Sequence, residues 1–328
     1  MKYLITGGAG FIGSHLADRL IKEGHHVHVI DNLATGKLNN VQHLIGNERF
    51  KSTVADILDY DVLEQLIAAC DQVFHLAAAV GVKLIMEHPV ETITNNVGGT
   101  ENVLKLASQY DKKVLLASTS EVYGKMMEMN RDIKGLNEEH DLIMGSTKKR
   151  RWAYACTKAV DEFLALAYFD EKRLPVVITR FFNTVGPRQT GQYGMVIPSF
   201  VQRALLNEPI LVYGDGSQTR SFTYVGDTIR VVATLMNLKE AEGEVFNIGS
   251  ANEISMTRLA EKVCEMTESS SEITHVPYDQ AYGRGFEDMQ RRTPDISKIE
   301  KMISYKATHD IDAILREVID YFKHHSER

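Results

Sequence analysis

The sequence predicts an α/β fold, a doubly wound parallel sheet joined to a smaller α+β lobe. Three observations predict it. Short β-branched runs alternate with amphipathic stretches through the first half of the chain, a glycine-rich turn follows the first of those runs, and the order becomes mixed after about Asn183. A chain of 328 residues with 44% hydrophobic and 25% charged residues is long enough to bury a sizeable core, and its 7 prolines set it apart from disordered or collagenous compositions.

The elements follow in order. Candidate strands are Lys2 to Thr6, His26 to Asp31, Gln72 to Leu76, Val114 to Ser118 and Val176 to Phe181. Ile12, Leu16 and Leu20, spaced four apart, and Val97, Leu104 and Ala107, spaced seven and three apart, mark helices that bury one face between those strands. Beyond Asn183 the sequence predicts a helix from Ile197 to Leu206, a strand pair around the turn Gly214-Asp215-Gly216, and a late helix from Asp312 to Phe322. Without a long linker, the two lobes are expected to share a cleft, where ligands commonly bind.

Composition narrows the function. Lys plus Arg number 37 against 44 Asp plus Glu, a net charge of -7, which disfavours a general binder of nucleic acid or anionic membrane. Cys70, Cys156 and Cys264 are far apart with no CxxC spacing and read as free thiols of a reducing compartment. No signal-peptide core and no run of 18 apolar residues is present, so a cytoplasmic protein is expected. His25, His26 and His28 alternate on a strand, and His324-His325 sits near a fraying end, so no metal is assigned. The basic run Lys148 to Arg151, offset by Glu138, Glu139 and Asp141, reads as a solvated loop.

Thr6-Gly7-Gly8-Ala9-Gly10-Phe11-Ile12-Gly13 satisfies both GxGxxG and GxxGxxG between a predicted strand and a predicted helix. Missing side chains let the backbone approach a pyrophosphate, whose charge the helix N-terminus favours. Asp31 ends the next strand, 18 residues beyond Gly13, where a carboxylate accepts both ribose hydroxyls and repels a 2'-phosphate, favouring NAD over NADP. Tyr154-Ala155-Cys156-Thr157-Lys158 places a phenol and an ammonium one helical turn apart. A tyrosine near pKa ~10 is a poor base at neutral pH, but Lys158 and a positive nicotinamide ring would favour its phenolate. Ala117-Ser118-Thr119-Ser120-Glu121-Val122-Tyr123-Gly124 ends a predicted central strand, where ligands of open parallel sheets gather; Thr119 there would bind the hydroxyl that Tyr154 deprotonates.

TGGAGFIG, Asp31-Asn32, Val73-Phe74-His75-Leu76-Ala77-Ala78, Asn96-Val97-Gly98-Gly99-Thr100, STSEVYG and YACTK together resemble the extended short-chain dehydrogenase/reductase family that remodels nucleotide sugars. The resemblance implies a Rossmann-type NAD-binding domain of residues 1–183 and 221–250 and a nucleotide-sugar-binding lobe of 184–220 and 251–328. It implies a catalytic set of Thr119, Ser120, Glu121, Tyr154 and Lys158. For the cofactor it implies Gly7, Gly10, Phe11, Ile12, Gly13, Asp31, Asn32, Asp56, Ile57, Leu76, Ala77, Ala78, Asn96, Tyr154 and Lys158. For a UDP-sugar it implies Val82, Asn183, Arg188, Val196, Tyr213, Arg220 and Arg291, with Arg220 as phosphate clamp and Arg292 a further candidate. Helices around Val97 to Gln109 and Tyr154 to Phe169 resemble those through which the family forms homodimers.

Chemistry in that family begins with oxidation at carbon 4 of the sugar, after which Glu121 decides the outcome. A simple 4-epimerase needs no carboxylate there. In the related 4,6-dehydratases an Asp-Glu pair eliminates water, and here the Asp position is Ser120. Thr-Ser-Glu also resembles the UDP-glucuronate decarboxylases. The reading preferred from sequence is dehydration of UDP-N-acetylglucosamine or a UDP-hexose, by 4,6- or 5,6-elimination with Glu121 as the base at carbon 5. Decarboxylation of a UDP-uronate and 4-epimerisation are the alternatives. Met126, Met127 and Met129 are expected to form an apolar wall near carbon 6. A dinucleotide-binding sensor of the same fold has no need for Thr119, Tyr154 and Lys158 together, so the set points to an enzyme.

Overall fold

A computed structural model describes residues 1–81, 85, 87–191, 194–282 and 288–325. Its strands in chain order are β1 (Lys2–Thr6), β2 (His26–Asp31), β3 (Phe50–Val54), β4 (Gln72–His75), β5 (Lys113–Thr119), β6 (Val176–Phe181), β7 (Thr184–Val185), β8 (Ile210–Tyr213), β9 (Thr219–Ser221), β10 (Thr223–Tyr224), β11 (Glu244–Ile248), β12 (Glu253–Ser255), β13 (Ile273–Val276) and β14 (Arg291–Arg292). Seven of them form one sheet in the order β3-β2-β1-β4-β5-β6-β11, and every pairing in it is parallel. The reversal between β1 and β4 makes a crevice at the carboxyl ends of those strands, where ligands of doubly wound sheets bind.

Alternation along the strands sends side chains to two separate cores. Ile5, Val29, Phe74, Leu115 and Val177 point to one face and pack on Leu16 and Leu20 of helix Phe11–Lys22 and on Val231, Val232 and Leu235 of helix Val225–Met236. Leu4, Ile30, Val73, Val114, Leu116, Val176 and Ile178 point to the other, against Leu63 and Ile67 of Tyr60–Ala69, Val103 and Leu104 of Pro89–Gln109, and Ala165 of Trp152–Lys172. A third core joins helices Val196–Leu205, Met256–Thr267 and Ile311–His325 with β8. No described helix is long and apolar enough to cross a membrane.

The predicted strand pair at Gly214-Asp215-Gly216 is corrected. The two strands flanking this turn do not pair with each other: β8 runs parallel to β13, while β9 pairs antiparallel with β12 and parallel with β14. Gly214 and Gly216 both adopt positive φ, and Asp215 accepts hydrogen bonds from the Ser217 amide at 2.9 Å and hydroxyl at 2.7 Å. That side-chain turn redirects the chain into a different sheet instead of folding it back as a hairpin. It brings β14, and with it Arg292, alongside Arg220 of β9.

Candidate active site

The glycine turn is shaped by close packing. Gly7 has φ +69, and a Cβ on Gly13 would lie 2.3 Å from the Gly7 carbonyl oxygen, so the first turn of helix Phe11–Lys22 sits directly on the loop. Asp31 closes the crevice from β2: its carboxylate accepts the Ala9 amide at 3.0 Å and the Leu33 amide at 2.8 Å. Burial pushes that carboxyl upward, while the amides of Leu33, Ala9 and Gly10 oppose the shift. Asn32 donates to Asp56 at 2.8 Å on the outer wall. Gly7, Gly10, Phe11, Ile12, Gly13, Asp31, Asn32, Asp56, Ile57, Leu76, Ala77 and Ala78 all line one cleft of about 1810 Å³, which continues past Thr119, Ser120, Glu121 and Tyr154 to Asn183, Arg188 and Arg292. A dinucleotide fits the donor set: a turn with little side chain, a helix start with no acid in its first turn, and a carboxylate at the ribose position.

Two predicted cofactor residues stand behind that wall. Asn96 is buried and clamps the segment after β4 to the helix Trp152–Lys172, accepting the Ala79 amide at 2.8 Å and donating to the Thr157 hydroxyl at 3.3 Å. Lys158 donates to Asp161 Oδ2 at 2.9 Å, with both side chains buried. Tyr154 lies one turn before Lys158 and hydrogen-bonds Thr119 at the end of β5. Burial first, then the charges of Glu121 and Asp161, push the Tyr154 phenol well above its usual range. The ammonium expected to offset this is paired with Asp161.

Glu121 is the centre of a partly buried ion network. Arg292 Nη1 donates to its Oε1 at 2.7 Å, and Arg151 Nη2 stands 3.7 Å from the same oxygen. Arg151 reaches on to Asp288 Oδ1 at 3.1 Å, and Arg220 holds Asp288 Oδ2 at 3.0 Å. The second Arg292 amino group donates to Asn183 Oδ1 at 2.7 Å. Burial would raise the Glu121 carboxyl, but Arg151 and Arg292 overcome it and hold the group at about 2. Arg220 is pushed down by burial, opposed by Asp288 and reinforced by the charges of Arg292 and Arg151.

Several sequence-based assignments change here. Arg151 belongs to the network and is buried, not part of a solvated loop; Lys148 and Arg150 are exposed as expected. Glu138, read as balancing that run, instead accepts the Asn247 amide at 2.8 Å. Arg291 points outward and pairs with Glu253, because alternation along β14 turns its neighbour Arg292 inward. Arg188 lines the cleft while bound to Asp18 of helix Phe11–Lys22 at 2.7 Å. Arg220 is buried behind the cleft wall, Val196 packs on the third core, and Tyr213 ends β8. Val82 lies outside the described residues. Met127 packs with Tyr123, Leu136 and Phe182 and Met129 is exposed, so the methionines form no wall of the cleft. Ser120 is buried and lines the cleft.

Sequence reasoning gave no role to Glu162, Arg180 or Asp161. Arg180 grips Glu162 through three hydrogen bonds of 2.7 to 3.2 Å and stacks over Tyr123, and Ser118 donates to Glu162, so this pair braces β5 beneath the site. No group of described residues is arranged to hold a metal ion.

Comparison with known proteins agrees with this geometry. The family model of GDP-mannose 4,6 dehydratase matches residues 4–318. A UDP-N-acetyl-alpha-D-glucosaminuronate decarboxylase of Bacillus cytotoxicus is 44% identical over 321 residues, covering 98% of this chain and 97% of that protein. UDP-glucuronic acid decarboxylase 1 of Danio rerio is 37% identical over 328 residues, 99% of this chain and 73% of its own length. Among solved structures, the UDP-glucuronic acid 4-epimerase of Bacillus cereus, in complex with UDP-glucuronic acid and NAD, superposes with TM-score 0.88 at 32% identity over 99% of both chains. A dTDP-glucose 4,6-dehydratase of Streptomyces venezuelae with NAD bound gives TM-score 0.88 at 28% identity over 99% of this chain and 98% of that one.

Proposed function

The chain belongs to the GDP-mannose 4,6 dehydratase family of nucleotide-sugar enzymes, and within it we propose that this protein is an NAD-dependent decarboxylase of a UDP-uronic acid. The observation that carries the reading is the state of Glu121. Elimination of water needs a free base at carbon 5, and a carboxylate held at about 2 between two guanidiniums is a very weak one. Arg292 lines the cleft beside Thr119 and Tyr154, and its Nε has no hydrogen-bond partner among the described residues. A guanidinium in that position suits a sugar carboxylate. The dehydration preferred from sequence is less well supported, and the relatives named as decarboxylases favour the same conclusion.

NAD in the glycine cradle supplies reversible hydride removal at carbon 4. Tyr154 accepts the carbon 4 hydroxyl proton while Thr119 holds that oxygen, and Arg292 fixes the carboxylate. The β-keto acid so formed breaks its bond between carbon 5 and the carboxylate; carbon dioxide leaves, and the electron pair passes into an enolate whose oxygen stays at Thr119 and Tyr154. Carbon 5 takes up one proton from solvent, and Tyr154 returns its proton as the ketone is reduced, so the net change is one proton consumed and one carbon dioxide released.

The lobe of 184–220 and 251–328 supplies Arg220, Asp288 and Arg292. The second part of the proposal is a cytosolic homodimer. Val90 and Ile93 of helix Pro89–Gln109, and Val160 and Phe163 of Trp152–Lys172, expose apolar surface on two helices packed side by side, with Val90 77% and Phe163 69% exposed. All three cysteines are free.

The test is product mass after incubation with UDP-N-acetylglucosaminuronate, UDP-glucuronate and UDP-N-acetylglucosamine in deuterated water. Loss of carbon dioxide with one deuterium at carbon 5 is expected from a uronate. Loss of water from the hexose would replace the reading by dehydration, and a uronate recovered with inverted carbon 4 would replace it by epimerisation.

A further inference from the structure

Lys158 stands one turn after Tyr154, and Asp161 three residues after Lys158, on the helix Trp152–Lys172. The lysine is 2% exposed, the aspartate is completely buried, and Nζ meets Oδ2 at 2.9 Å. A buried ion pair is a weak source of stability, because desolvation of both groups offsets their attraction. This pair also sits where it bears on the reacting phenol. Tyr154 is faced by Thr119 at the end of β5, Glu121 in the following turn, Arg292 of β14, and Asp161 on its own helix. Lys158 is faced by Asp161 and by His75 of β4. Asp161 is faced by Lys158 and Glu162 on its own helix and by Thr100 of Pro89–Gln109. Thr100 in turn contacts His75 Nε2 at 3.1 Å, and His75 Nδ1 contacts the Thr6 hydroxyl at 2.7 Å. The lysine ammonium is thus held by one buried carboxylate, whose other oxygen has no hydrogen-bond partner among the described residues, beside the Thr100–His75–Thr6 chain.

We propose that Asp161 is a positioning residue that acts through Lys158: its carboxylate pins the ammonium inside the fold and screens the positive charge that Tyr154 feels. The proposal rests on Tyr154 as the proton acceptor at carbon 4, and it holds whether the oxidised sugar then loses carbon dioxide or water. Asp161 sets a balance. A lysine with no counter-ion would favour the phenolate most strongly, whereas a paired one keeps Tyr154 protonated until dinucleotide binding adds a second positive charge.

The decisive variant is Asp161→Asn. The acid limb of the kcat/KM profile should move about one pH unit lower, giving about tenfold more activity at a pH on that limb. Tyrosinate absorbance of the NAD complex, with the signal of the same protein carrying Tyr154→Phe subtracted, should move in the same direction. Asp161→Glu keeps the charge and should leave both curves near those of the unaltered protein. Asp161→Ser, with room for a water beside Lys158, covers the case in which the Asn protein does not fold. An unmoved limb in whichever neutral variant folds overturns the proposal; failure of both neutral variants to fold, beside a folded Asp161→Glu, would assign the carboxylate a structural role and overturn it equally. Full turnover by Tyr154→Phe alone would instead remove the premise that Tyr154 is the acceptor.

Discussion

Replacing Arg292 by Met keeps the unbranched stem of the side chain and removes its charge. Two hydrogen bonds of 2.7 Å disappear, one to Glu121 and one to Asn183, together with a buried Nε that has no partner among the described residues. Truncating one partner of a buried, hydrogen-bonded charge pair costs about 2–5 kcal/mol, and ~3 kcal/mol corresponds to roughly a hundredfold in affinity. If Arg292 receives the sugar carboxylate, that loss falls on the uronate and spares the neutral sugar. Calorimetric titration with UDP-glucuronate and UDP-glucose, in a Tyr154→Phe background that prevents turnover, measures the two separately. The protein with Arg292 should prefer the uronate, and Arg292→Met should abolish most of that preference while binding UDP-glucose nearly unchanged. An equal loss for both ligands would refute the reasoning, because Arg292 would then be holding the diphosphate or the fold.

Glu121 has a lowered carboxyl in the folded state, so its contribution to stability is present above its ordinary pKa and is lost as pH falls toward about 2. A difference of roughly two units from the unfolded value is worth ~3 kcal/mol. Urea midpoints should fall more steeply between about pH 5 and pH 2 in the unaltered protein than in Glu121→Gln, and parallel profiles would contradict the network. Gly13→Ala puts a Cβ 2.3 Å from a backbone oxygen; both the melting temperature and the affinity for NAD should drop, and an unchanged NAD affinity would argue against this turn as the cradle. Phe163→Glu places a charge on the exposed apolar face of Trp152–Lys172; light scattering should show monomers, and an intact dimer would put the interface elsewhere.

The parallel sheet was legible in the sequence because its central strands are buried on both faces and read as continuous apolar runs. β3 was missed for the opposite reason. Its Lys51 and Ser52 are exposed at the sheet edge, so neither alternation nor an apolar run marks it. The glycine turn, Asp31 and the Tyr154–Lys158 spacing were legible because each is a local pattern with a local physical cause. Arg151 was not, and Arg292 could not be told apart from its neighbour Arg291. A basic run at Lys148 to Arg151 looks the same whether its last side chain faces water or Glu121, and which of Arg291 and Arg292 turns inward depends on the pairing of β14 with β9. The signal available was alternation: two adjacent arginines on a strand cannot both face the cleft.

Those long-range contacts, more than the local patterns, separate the reactions open to this site. Arg151, Arg220 and Arg292 are tied to Glu121 and Asp288 in one continuous chain of ion pairs. The Arg292 Nε is buried with no hydrogen-bond partner among the described residues, so an anionic ligand at that guanidinium would complete its hydrogen bonding. Of the three guanidiniums Arg292 lines the cleft, together with Thr119 and Tyr154. On the proposed reading a uronate would meet this guanidinium with the group that departs, which a neutral hexose cannot do. Glu121 would compete with that carboxylate for the same fork, and with a uronate bound it would still have Arg151, 3.7 Å away, as a counter-ion. In the proposed reaction this arrangement would select and orient an acidic substrate, and the sheet and its glycine turn would serve the oxidation that makes loss of carbon dioxide easy.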